Sequence, residues 1–476
     1  MGLIQFNLQT DDLVAVEGVS KTDFVTFDGR VIPADCTLDR STLRCIRGQA
    51  DSSKLRVLCN IDGQQRVVHT TSLRESQREY ALELELARGE LARLRNFYAL
   101  WTGAGLKPSP ALNNVISKAH KEFASGIFSE HQATAALESI RHTHKAIGLL
   151  IDAYTRQRIT FRQQRTLNFP MTVGCRISTP PSEEVAFGEA FNAAFVTTKW
   201  SDLEPEDGEY QWTELDAVMD WATANKMFVI GGPLLDLSAD CFPVWMAPWK
   251  GDLLNLQSFI SDFVETVVSR YVGRIRHWEV VCGPNRGGAN VLSEEQRLNL
   301  IVRAIEAAQE VDEQIQISLR VIQPWGEYLS TTENRLPPIQ FVDTLYRSGG
   351  STLSEVNLDL RFGDGDLESL PRDMLHLSQL LDHWSLLQLP LNVMAALPTS
   401  RQAADESTSF GAKEKSQMQL MEDLFVMSLS KERVTGFYCL NWEDDDAPGG
   451  RLFRPDGSIH SVVHKFSELE ETHWPT

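Results

Sequence analysis

Residues 192–232, NAAFVTTKWSDLEPEDGEYQWTELDAVMDWATANKMFVIGG, decide the fold. AAFVTT is short, apolar and β-branched, as a buried strand is. ELDAVMDWATANK places apolar residues at helical spacing. MFVIGGPLL is apolar again, until Gly and Pro punctuate it. Strand, helix and strand in this order form one βα repeat.

Outward from this repeat the alternation continues, from about residue 166 to the C-terminus. Further strands are expected at TVGCRIS, IRHWEVVCG, QISLRVI, EVNLDLRFG, LNVMAALP and VTGFYCLNW. Helices are expected at LQSFISDFVETVVSRYVG, SEEQRLNLIVRAIEAAQEVD and EKSQMQLMEDLFVMSLSKE. Eight strands alternating with helices predict an α/β architecture, a (β/α)8 TIM barrel over 166–470. In such a barrel the function sits at the C-terminal ends of the strands.

Towards the N-terminus the pattern changes twice. Residues 1–73 hold β-branched runs (LVAVEGV, FVTFDGRVI, TLRCIRG, KLRVLCNIDG, QRVVHTTSL) with Asp28-Gly29 and Asp62-Gly63 as turn signals. They predict a small β-rich domain. Residues 74–165 read as a helical hairpin or bundle, with Leu82, Leu84, Leu86, Leu91, Leu94, Phe97 and Leu100 as its apolar positions and a stop at Gly103 and KPSP. His142 and His144 are two apart, so they do not share a helix face. With His131 they are expected at the surface rather than on a metal.

The formal charge of -20 over 476 residues disfavours nucleic acid and anionic membranes as partners. Seven scattered cysteines show no CxxC spacing, which speaks against zinc and for reduced, buried thiols. The run MGLIQFNLQTDDLVAVEG has no basic region before an apolar core, and no stretch reaches 18 apolar residues, so neither a secretory leader nor a membrane span is expected. The expectation is a soluble, cytoplasmic protein of bacterial type, without cofactor or metal. Its expected partner is an oligo- or polysaccharide. Self-association through the N-terminal segments is a further expectation.

Several motifs now fall into one series. Lys199-Trp200, Glu204-Pro205, Gly208, Tyr210, Trp212, Asp216 and Trp221-Ala222 occur in the order of a KW dipeptide, an acidic EP run and a D..v.WA helix. RYVGRIRHWEVV is similar to RY.G.i..WDVvNE, and LPLNVMAALP to lPi.vTElD. GFYCLNWEDDDAPGGRLFRPDGSIHSVVHKF is similar to a terminal Git.WG.tD strand with its llfd and pkpay runs. Over about 166–470 the chain resembles family 10 glycoside hydrolases, the xylanase-type barrels. The resemblance implies that the acid/base position falls on Gly283, with Cys282 before it, and the nucleophile position on Ala395. The two histidines of the third strand end are replaced within Gly231–Leu237. Lys199 stands where the family binds substrate hydroxyls, Trp200 is kept, and Asp444 falls on the Asp of the last strand.

Retaining glycosidases need two carboxyls about 5–5.5 Å apart. Glycine and alanine supply neither. Substitutes are offered by Glu443, Asp444, Asp445 and Asp446, by Asp236, and by Asp364 and Asp366. An inverting pair would stand about 6.5–9.5 Å apart. Aromatic faces for sugar stacking are offered by Trp200, Trp245, Trp249, Trp325 and Trp442. Trp212, Trp221 and Trp278 suit the core. GPNRGG, residues 283–288, lacks the spacing of a phosphate loop. The expectation is a catalytically degenerate barrel that binds carbohydrate or protein. The alternatives are an active intracellular hydrolase of β-linked glycans using relocated carboxylates, and a self-assembling structural protein.

Overall fold

The computed structural model describes residues 2–474 apart from 11–12, 15, 27–28, 129, 239–241, 289–291, 349–351, 364, 399–409 and 444–449. Its larger part is a ring of parallel strands: Thr172–Ile177, Ala193–Val196, Phe228–Gly231, His277–Cys282, Gln316–Val321, Leu353–Leu360, Leu391–Ala395 and Val434–Cys439. The first pairs with the second and the eighth, and the third with the fourth, so the ring closes. After a break the third strand resumes at Leu235–Asp236, against Val281 and Cys282. Each strand overlaps one of the eight runs expected from the sequence. Their mostly apolar character follows from burial on both faces. Helices separate the strands; Ser293 opens Glu294–Val311 through a reciprocal capping box with Gln296. The (β/α)8 class is therefore what the chain forms.

The chain divides into two units. One holds residues 1–161 with 326–333 and 370–378, and the other holds the rest, including the ring. In the first unit, two four-stranded sheets form, ordered 34–39, 42–47, 2–7, 80–81 and 31–32, 23–25, 53–61, 64–73. Asp62 and Gly63 both take positive φ in the two-residue turn between the last two strands, as an Asp-Gly hairpin requires. LVAVEGV is not a strand: Val14 makes one bridge, and Val16–Val19 form a helical turn.

Three helices follow, Leu82–Gly103, Pro110–Phe128 and Gln132–Arg165. Leu82, Leu86, Ala136 and Ile140 share one core with Phe6, Phe24, Leu43 and Val57 of the sheets. The first helix begins buried on every side. Its Glu83 accepts the amides of Gln9 and Thr10 at 2.7 and 2.8 Å. A Cβ at Gly89 would lie 1.9 Å from the His69 carbonyl, so the helix lies directly on strand 64–73. Leu100, expected in the core, is 61% exposed, because the helix has outrun the sheet it covers. Among the described residues no helix is long and apolar enough to cross a membrane.

This unit also holds an imidazole pair, His376 buried and His69 half-buried. His376 Nε2 lies 3.3 Å from His69 Nδ1. Arg93 donates to Asp373 at 2.9 Å and pairs with Glu90, and His144 Nε2 lies 3.2 Å from Glu90 Oε2. Burial, then the neighbouring His376 for His69 and Arg93 for His376, pushes both below the usual imidazole range. Burial opposes ionisation of Glu90 and Asp373, but Arg93 together with the histidine facing each, His144 at Glu90 and His376 at Asp373, outweighs it and holds both below the usual carboxylate range. The unfolded imidazoles take up protons near pH 6.5 and the folded ones resist, so stability falls as the pH drops through that value. The carboxylates add a second loss below about pH 4.5. The melting midpoint of the full chain is expected to fall between about pH 7.5 and about pH 5.5, and to fall less in His376→Gln. An equal fall in both proteins would sink this assignment.

Candidate functional site

At the mouth of the ring, the fourth strand runs into Gly283. This residue takes φ +67. A Cβ here would meet Ser238 Cβ at 2.5 Å, Ser238 N at 3.0 Å and Ile322 Cδ1 at 3.1 Å. Only glycine fits both the space and the backbone. The loop behind it is clamped. Buried Asn285 donates to Ile322 O at 2.7 Å and accepts from Ile322 N at 3.2 Å. Arg297 donates to the carbonyls of Pro284 and Asn285 at 2.9 and 3.2 Å. Arg286 turns back onto Gly287 O at 3.2 Å. On the seventh strand, Ala395 is fully buried and in register between Leu360 and Cys439.

The ring interior has an apolar and a polar half. Ala193, Phe195, Ile230, Met394 and Tyr438 cluster in the first. In the second, Arg320 grips Glu279 with two hydrogen bonds, Nε to Oε2 at 3.0 Å and Nη2 to Oε1 at 2.6 Å. Asn357 donates to the same carboxylate at 2.6 Å, and Asn392 donates to Asn357 Oδ1 at 2.8 Å. Asn392 also donates to Glu355 at 2.9 Å, and Glu355 faces His277 at 3.3 Å. Burial disfavours the charge of Arg320, but Glu279 outweighs it and raises its pKa. Two hydrogen bonds from one guanidinium and one from an amide leave this carboxylate fully engaged inside the ring.

Nearer the mouth, Arg361 donates to Asp359 Oδ1 at 2.7 Å. Arg176 donates through Nε to Thr197 Oγ1 at 3.0 Å, and no ion pair holds it among the described residues. Burial, then the charge of Arg320, lowers its pKa. Arg176, Lys199, Trp200, Asp236 and Phe242 line a narrow cavity of about 40 Å³. That space takes a water molecule or a hydroxyl group, not a pyranose ring. Burial, then Asp236, pushes the thiol of Cys282 up, so it is no nucleophile.

The residues singled out in the sequence fall in different places. Asp236 accepts from Ser238 N and Oγ at 2.9 and 2.5 Å. Lys199 pairs with Asp202 at 3.3 Å. Glu443 accepts from Ser182 Oγ at 2.8 Å. Asp444, Asp445, Asp446 and Asp364 lie outside the described residues. Trp200 borders the cavity but is 3% exposed, stacked on Phe263. Trp442 is fully buried, edge-on to Phe187 and stacked on Phe453, and presents no face to a ligand. Trp245 and Trp325 are half-buried. Trp245 packs edge-on to Phe259, beside Trp249, which is 39% exposed. Sequence reasoning missed Arg176, Arg320, Asp359, Arg361, Asn357 and Asn392. Their signal was a polar residue inside an apolar strand run.

The motif residues of the KW-to-WA series are mostly scaffold. Trp200 Nε1 donates to Glu204 Oε2 at 2.7 Å, Gly208 N to Glu204 Oε1 at 2.9 Å, and Trp245 Nε1 to Glu204 O at 3.1 Å. Tyr210 stacks on Trp212, Arg270 lies over Trp212, and Tyr271 donates to Asp216 at 2.8 Å.

Residues 179–319 match the sequence model of glycosyl hydrolase family 10. Endo-beta-1,4-xylanase Xyn10C of Cellvibrio japonicus is 28% identical over 147 residues, 28% of this chain and 24% of that one. Endo-1,4-beta-xylanase 3 of Hypocrea jecorina is 33% identical over 86 residues, 17% of this chain and 23% of that one. The chain thus covers about a quarter of the length of these relatives. Among solved structures, the family 10 protein of Paenibacillus barcinonensis and native xylanase 10B of Thermotoga maritima each superpose with a TM-score of 0.50 at 17% identity, over 64% of this chain and 96% of theirs. These likenesses show the fold, and a region like family 10. The matched stretch includes Lys199 and Gly283 and ends before Ala395.

Proposed function

We propose that this xylanase-like barrel binds a β-linked glycan across its mouth without hydrolysing it. The observation that carries this reading is Gly283, where the resemblance puts the acid/base and where the backbone leaves room for no side chain. Two further features support it. The inner carboxylates Glu279 and Asp359 are each engaged by an arginine. Half-buried Lys199 and Asp236 and exposed Trp249 suit hydroxyl pairing and ring stacking.

The test is calorimetric titration of the full chain with xylohexaose, alongside reducing-end release from xylan. Binding without new reducing ends is expected. Trp249→Ala is expected to weaken binding about tenfold, equivalent to about 1.4 kcal/mol. Absence of heat with every glycan tried would overturn the binding reading. A second reading, hydrolysis by relocated carboxylates, is favoured by Asp236, which lines the cavity. Turnover that disappears in Asp236→Asn or Glu443→Gln would establish it.

A further inference from the structure

Cys36 and Cys45 lie directly opposite each other on the antiparallel strands Ala34–Asp39 and Thr42–Arg47. Their Sγ atoms are 2.8 Å apart. The strands are joined by Arg40 and Ser41, with Arg40 at φ 51, a two-residue hairpin turn. The closing pair of such a turn, Asp39 and Thr42, is a hydrogen-bonded pair, and pairs then alternate along the ladder. Leu38–Leu43 is therefore non-hydrogen-bonded, Thr37–Arg44 hydrogen-bonded, and Cys36–Cys45 non-hydrogen-bonded. At that position the Cα atoms approach to about 4.5 Å, within the span a disulfide bridges. The two sulfurs also differ in access. Cys45 is fully buried in the core, whereas Cys36 is half-buried on the edge strand of its sheet.

We infer that Cys36 and Cys45 form a redox pair, which closes to a disulfide on exchange with a small-molecule disulfide such as oxidised glutathione. Cys36, the accessible sulfur, attacks the oxidant as its thiolate. A mixed disulfide forms and one glutathione thiolate leaves. Cys45 then attacks Cys36 Sγ, the second glutathione leaves, and the two protein thiol protons end on the two released thiols. One disulfide is consumed and one is formed. The bridge ties edge strand 34–39, which among the described residues pairs only with 42–47, to the strand that reaches the core.

The test uses the full chain equilibrated in reduced or oxidised glutathione, then unfolded in N-ethylmaleimide and weighed intact. All seven thiols are expected to be alkylated after reduction, and two fewer after oxidation. Trypsin cleaves after Arg40, so the bridge is expected to join the two peptides that carry Cys36 and Cys45. Cys36→Ser, at the half-exposed position, is expected to lose both the bridge and the redox dependence of the melting midpoint. Seven alkylated thiols after oxidation, or a bridge that joins other cysteines, would overturn the pair.

Discussion

Glu279→Ala is expected to destabilise the full chain by about 3–5 kcal/mol, a loss read as a lowered denaturation midpoint in urea. The carboxylate is fully buried, as is Arg320, whose two hydrogen bonds it accepts. Removing it strands a guanidinium where water does not reach, and leaves Asn357 Nδ2 without its closest acceptor. The same logic gives the control. Glu279→Leu combined with Arg320→Met removes both charges together, and most of the loss is expected to be recovered. If the single variant unfolds at the wild-type midpoint, the pair does not hold the ring interior together.

The second large effect concerns restoring the missing acids. Gly283→Glu with Ala395→Glu is expected to give no xylan turnover, and to cost about 2–5 kcal/mol at position 283 alone. A positive φ costs a non-glycine residue about 1–2 kcal/mol, and forcing a side chain against Ser238 adds about 1–3 kcal/mol. At 395 a carboxylate would enter a site with no exposure, where ionisation is disfavoured. Reducing-end release and the urea midpoint, measured on the same preparation, check both parts. Turnover by this double variant would show that the mouth still holds the geometry of a hydrolase.

The strands were legible because each is a short apolar run between turn residues, and AAFVTT and QISLRVI became strands with ends within two residues of the expectation. The β-rich run misled at LVAVEGV, where Gly18 packs a helical turn against Leu58. The mouth was legible only as a loss. That Gly283 and Ala395 carry no acid is plain from their identities. What replaces the acids is not, because Glu279 finds Arg320 at 41 positions' separation and Asn357 at 78. Trp442 was misplaced for the opposite reason. It stands just past a strand end, as a ligand-facing aromatic would, but its ring turns inward among Phe187, Phe191 and Phe453. A sequence shows where a side chain begins and not which way it points.

The polar half of the ring has a consequence for descent. From His277 through Glu355, Asn392, Asn357 and Glu279 to Arg320, each group's donor and acceptor ends are set by its neighbour. Neither amide can turn over without facing donor to donor or acceptor to acceptor. None of its four buried members, Asn392, Asn357, Glu279 and Arg320, can change alone without taking a hydrogen bond from a buried neighbour. Lineages that share this barrel are therefore expected to inherit these four buried positions as a block, or to have exchanged the block for an apolar interior in concerted steps.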